Sequence, residues 1–183
     1  MRNHTAQITR QALLEAALED HECERGEFTL EAVAAQARVS KGGSLHHFAT
    51  KRDFLSAVIS QHLERHERWI SEACEQAGLK WTQAYVEAAF SSESVSVTTM
   101  WALIAAVRVD VTLLEQAREA FTRWQRQLET SGVPLGRAMV VRLAVEGLAL
   151  SVLLELAPPR GEVVAELKSV LETLATPNNG HTA

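Results

Sequence analysis

His62 and His66, four residues apart, and Cys74 two turns further on are the first residues in this chain whose types and spacing could do chemistry. At that spacing the two imidazoles share one face of a helix, and with a thiolate they begin a zinc-ligand set. The catalytic version of the pattern is excluded, because HLERH carries Leu63 where a zinc-dependent protease carries its glutamate. No CxxC pair, nucleophile elbow, P-loop or dinucleotide fingerprint accompanies them. Histidines on an apolar stripe are ordinarily neutral and packed, or they line a cavity. The expectation is therefore no metal, no cofactor and no catalysis.

A second chemistry is electrostatic. With 18 Lys+Arg against 23 Asp+Glu the formal charge is −5, so the surface as a whole should not coat nucleic acid or an acidic membrane. The charge is uneven, however. From Gln36 to Arg52 there are four cations, Arg38, Lys41, Lys51 and Arg52, and no carboxylate. Gly42, Gly43 and Ser44 in the same stretch give a small-residue face, although each glycine costs a helix about 1 kcal/mol relative to alanine. A short basic helix that sacrifices propensity for close backbone approach fits a nucleic-acid groove; an ordinary helical hairpin with a glycine-rich joint is the other reading.

Helices must position both groups. Apolar residues recur at helical spacing from Ile8 to about Glu24, and Thr29 starts a short helix, LEAVAAQA. Ser40 caps a second short segment, KGGSLHHF, and Thr50 caps a long helix whose stripe runs through Leu55, Val58, Ile59, His62, Leu63, His66, Ile70, Ala73, Cys74 and Ala77. Gly78 closes it. Further helices are predicted near Trp81–Phe90, Val95–Val109, Leu113–Thr130, Pro134–Leu156 and Pro159–Leu174, with prolines in first turns where they are tolerated. The class is all-α, with about nine helices. The start lacks a signal-peptide core and the most apolar stretch, Leu143 to Leu156, is too short to span a bilayer, which predicts a cytoplasmic protein without a membrane partner.

The stretch TLEAVAAQARVSKGGSLHHFATKRDFLSAV resembles the N-terminal domain of TetR/AcrR-type transcriptional regulators. The likeness lies in Thr29, Val39-Ser40-Lys41-Gly42, His46-His47-Phe48 and Thr50-Lys51, and it covers about residues 8–60. It implies a three-helix DNA-binding domain over 1–52, with the helix-turn-helix at about 29–48, and a helical effector-binding and dimerisation domain over 53–183. It implies phosphate contacts from Thr29 and Lys51 at helix starts. Groove contacts fall on Lys41, Gly42, Gly43 and His46, with Ser40, Ser44, Leu45 and His47 completing the set. Phe48 is expected in the core. Arg38 stands where the family commonly has the turn glycine, so a left-handed backbone there would be strained. Ser44-Leu45 stands where Leu-Tyr is usual.

Beyond the resemblance, the segment from Leu135 to Leu156 is apolar almost all round, which predicts a buried helix and, in a chain of this size, a subunit interface. Met139, Arg142, Leu143, Glu146, Leu150 and Leu153 are its candidates, and a central core helix in a monomer is the other possibility. Aromatic residues of the middle helices, ordinarily core, are also candidates for an effector pocket, which is assigned to His62, His66, Phe90, Trp101, Arg108 and Trp124. The expected function is a homodimeric repressor that binds a palindromic operator in double-stranded DNA and is released by a small-molecule effector. The alternatives are an all-α metal-binding protein or enzyme using His62 and His66, and a helical ligand-binding protein with degenerate DNA reading.

Overall fold

The computed structural model describes residues 2–19, 30–40, 47–91, 103–104, 107 and 109–177. Within them lie seven α-helices, α1 (Arg2–Glu19), α2 (Leu30–Gln36), α3 (Lys51–Ala77), α4 (Trp81–Phe90), α5 (Leu114–Glu129), α6 (Leu135–Leu153) and α7 (Glu162–Ala175), with a 3-10 turn at Val111–Leu113. No strand occurs among the described residues. The class is all-α, as the periodicity predicts. The helices expected at KGGSLHHF and Val95–Val109 fall mostly outside the described residues.

Two compact units divide the chain, one of Met1–His62 with Trp101–Ala117 and the other of Leu63–Met100 with Arg118–Ala183. In the first, α1 packs on α2, and α1, α2 and the N-terminal half of α3 together supply most of the core. Leu13, Leu14, Val33, Phe48, Phe54, Leu55, Val58 and Ile59 are buried, each such side chain contributing about 1.5–3 kcal/mol. The start of α3 is set locally. Thr50 Oγ1 accepts a hydrogen bond from the Asp53 backbone N–H at 3.0 Å, satisfying one of the orphan donors of the first turn. Replacing Thr50 by alanine is expected to cost about 1 kcal/mol in a urea titration, with the m-value unchanged.

In the second unit α4, α6 and α7 pack against one another. Gly78 ends α3 at a φ of 65°, the left-handed conformation glycine adopts without penalty. Pro134 precedes α6 with φ −53°, already close to the helical value. One face of α6 is buried through Ala138, Val141, Val145 and Ala149. No described helix is long and apolar enough to cross a membrane.

Candidate functional site

The basic segment begins where α2 stops. Val39 N–H donates to the Ala34 carbonyl at 2.8 Å, and Arg38 N–H donates to the Ala35 carbonyl at 3.1 Å. This nested pair of bonds closes the helix on a left-handed residue, ordinarily glycine, and here that residue is Arg38 at φ 56°. The strain expected from the sequence is present. Ser40 follows, exposed. Thr29 and Lys41 to His46, six of them groove candidates, lie outside the described residues. His47 is half-buried, and Lys51 is exposed at the first position of α3. Phe48 is a core anchor, packed edge-to-face on Phe54 with centroids 4.9 Å apart and with the Arg10 guanidinium 5.3 Å over its ring.

Side chains from far along the sequence grip the start of α3. Arg52 Nε donates to Asp110 Oδ2 at 2.6 Å, and Arg52 Nη2 donates to Thr112 Oγ1 at 3.1 Å. Asp110 also accepts from the Thr112 backbone and hydroxyl, at 2.9 and 2.7 Å. The Thr112 hydrogen bonds, then that of Arg52, hold its carboxyl below the usual carboxylate range. Further along, Ser60 Oγ donates to Gln116 Oε1, and Gln116 Nε2 donates to Ser56 Oγ, both at 2.6 Å.

The second unit holds an aromatic cluster. His66 is 2% exposed, its ring tilted on Trp124 at 4.6 Å and edge-on to Tyr85 at 5.6 Å. Trp81 stacks on Tyr85 at 5.1 Å, and Phe121 lies 4.7 Å from Trp124. Neither ring nitrogen of His66 has a hydrogen-bond partner among the described residues, and burial holds its pKa down to about 4. Its imidazole is therefore neutral near pH 7, able to donate at one nitrogen and accept at the other. Burial, and next Glu146, push the Tyr85 phenol up, so it stays protonated. Glu67 Oε1 accepts from the Trp124 indole N–H at 2.9 Å and from Arg123 at 2.8 Å, which fixes the indole's orientation.

Of the other effector-pocket candidates, His62 is buried on α3 within the first unit, and Phe90 is half-buried at the end of α4. Trp101 and Arg108 lie outside the described residues. Among the described residues no three His, Cys, Asp or Glu side chains come together to hold a metal ion. Cys74 is a half-buried free thiol whose pKa is raised by desolvation and by Glu75, a setting that disfavours the thiolate. Beside the aromatic cluster runs a groove of about 470 Å³, lined by Arg118, Phe121, Thr122, Gln125, Arg126, Glu129 and Arg142.

Helix α6 turns two different faces outward and inward. Arg142 Nε donates to Glu146 Oε1 at 2.6 Å, its Nη1 donates to Gln125 Oε1 at 2.5 Å, and its guanidinium lies 5.6 Å over Phe121. Met139 Sδ accepts from Gln125 Nε2 at 3.1 Å. Arg142 and Met139 thus reach α5, Glu146 pairs with Arg142 on its own helix, and Leu153 is half-buried. Leu143 and Leu150 are open, at 59% and 36% exposure, together with Val140 at 52% and Leu154 at 47%. With the exposed Gly136 and Gly147 they make a stripe spaced alternately four and three residues apart, the spacing of a helix-packing seam. Overall hydrophobicity does not single out Val140 or Leu154, because a helix apolar on every side has no preferred face. Spacing does not find them either, because the buried face through Ala138, Val141 and Val145 repeats at the same three and four residues.

A family model described as tetracyclin repressor-like, C-terminal domain, matches residues 79–176. Among solved structures, a transcriptional regulator from Rhodococcus sp. Rha1 is similar with a TM-score of 0.67 at 23% identity, over 93% of each chain. The multidrug binding protein EbrR complexed with ethidium is similar with a TM-score of 0.60 at 23% identity, over 91% of this chain and 97% of that one. Its complex with imidazole gives 0.56 at 22% identity, over 95% and 98%. No curated protein sequence matches.

Proposed function

Because this chain belongs to the tetracyclin repressor-like family, we propose that it is a cytoplasmic, homodimeric transcriptional repressor released from its operator by a small molecule. The observation that carries the DNA-binding part is the run from Gln36 to Arg52, with four cations and no carboxylate in a chain whose formal charge is −5. Excess acidity elsewhere limits non-specific binding and leaves one basic face for the duplex. Thr29 and Lys51 hold phosphates, while Ser40, Lys41, Gly42, Gly43, Ser44, Leu45, His46 and His47 form or flank the groove contact.

The dimer is supported by the open stripe of α6, since four large exposed aliphatic side chains on one face of a helix call for a covering partner. A second copy covers it by two-fold symmetry and presents two basic segments to half-sites about 34 Å apart. The effector part is supported by the groove lined by Phe121, Gln125 and Arg142, which runs beside the buried aromatic cluster of His66, Tyr85 and Trp124. EbrR, a neighbour in fold, was solved with ethidium, a planar aromatic molecule. The ligand acts by binding the DNA-free arrangement more tightly, so DNA weakens ligand binding by the same factor. Arg52, Ser56 and Ser60, tied to Asp110, Thr112 and Gln116, give α3 the polar grip through which such a change reaches Lys51.

The test is a gel shift with the DNA upstream of the protein's own operon. A sequence-specific shift at moderate salt is expected, and a folded dimer that produces none would end the proposal. Lys51→Ala is expected to weaken binding evenly across sequences and to lower the salt slope by about one.

A further inference from the structure

The left-handed arginine at the end of α2 is a local cost that nothing within the described structure offsets. Arg38 sits at φ 56°, in a region L side chains rarely adopt and where glycine would be unstrained. Hydrogen bonds on both sides of the residue, from Arg38 to Ala35 and from Val39 to Ala34, hold it there. Its exposed side chain makes no ion pair or hydrogen bond among the described residues. Arg52, another cation of the same run, is by contrast committed to Asp110 and Thr112. Arg38 lies two residues before Ser40, at the entry to the basic segment, with no carboxylate up to Arg52.

Strain kept at an exposed residue, and a charge with no partner among the described residues, point to a contact outside the chain. We propose that Arg38 binds a backbone phosphate of the DNA duplex, and that the strained turn is retained for that contact. The proposal rests on the DNA-binding reading above. A guanidinium suits the task because its planar donors match two phosphate oxygens at once. Such a contact adds affinity without adding sequence preference.

Three variants separate charge from strain. Arg38→Gly is expected to melt about 2–4 °C higher than the parent, yet to bind DNA more weakly. The log–log salt slope should fall by about 0.9 for every phosphate that the variant no longer neutralises. Arg38→Gln should lose the same affinity and slope without gaining stability, and Arg38→Lys should keep most of the slope. The probe is the duplex enriched by the parent protein from a random-sequence pool, with an unrelated duplex of equal length beside it. If Arg38→Gly binds both duplexes with the parent's affinity and slope, the proposal is overturned while DNA binding stands. If Arg38→Gly loses binding only to the enriched duplex, Arg38 reads bases and the phosphate contact is wrong. If the parent enriches nothing and binds neither duplex, the DNA-binding reading fails and takes Arg38 with it.

Discussion

Replacing Leu143 and Leu150 together by glutamate is expected to leave a folded monomer that no longer binds operator DNA. Both side chains are open to solvent in the single chain, so glutamate there costs the protomer little. In a two-fold dimer the same positions are buried twice over. Removing four leucines from an interface takes away on the order of 6–12 kcal/mol of apolar burial, and four unpaired carboxylates would oppose association further. Since about 1.4 kcal/mol is a factor of ten, the dissociation constant should rise by at least about four orders of magnitude. Sedimentation velocity at micromolar concentration checks the state of association, and circular dichroism checks that the helices remain. A double variant that sediments as a dimer would show that the α6 stripe is not the interface. Single half-sites should then be all that the monomer can address, and the gel shift should disappear with the dimer.

The second large effect is an acid sensitivity assigned to one residue. His66 has its pKa lowered from 6.5 to about 4, with desolvation the cause. The folded state therefore prefers the neutral ring, and between those two values the unfolded chain binds a proton that the folded chain does not. Stability is complete above about pH 6.5 and falls as the pH drops toward 4. Each pH step of one between the two pKa values is worth about 1.36 kcal/mol, so the loss across the window is roughly 3 kcal/mol. Glu67 and Glu146 stand near the cluster, but each is already paired with an arginine, Arg123 and Arg142. Carboxylate protonation contributes its own acid loss, so the informative quantity is a difference. Urea titrations of the parent and of His66→Phe at pH 7 and pH 4.5 should show the variant losing about 2–3 kcal/mol less than the parent. Equal losses in the two proteins would mean that His66 is not held neutral by burial.

Much of the architecture can be read along the chain. The expected helix at Trp81–Phe90 coincides with α4, and the stripe from Leu55 to Ile70 is the buried face of α3. An arginine in the place of a turn glycine spells a strained backbone, and Arg38 adopts the left-handed turn. Thr50 and Gly78 mark the ends of α3, the one through its hydroxyl and the other through its lack of a side chain. Each of these features depends on a helical period or on the sterics of a few neighbouring residues.

Other features leave no trace in any local pattern. Asp110 grips Arg52 from 58 positions away, and the Trp124 indole is held by Glu67 across 57. Arg142 and Glu146 look like interface residues in a helix apolar all round, yet Arg142 reaches Gln125 and Phe121 and binds Glu146 beside it. What the amino-acid sequence determined by itself was the helical class, the turn at Arg38 and the concentration of positive charge before Arg52, because backbone sterics, period and charge are local properties. Which face of α6 stays open, and whether His66 carries a proton, were decided only by the tertiary structure. Burial and pairing depend on atoms that folding brings in from distant parts of the chain.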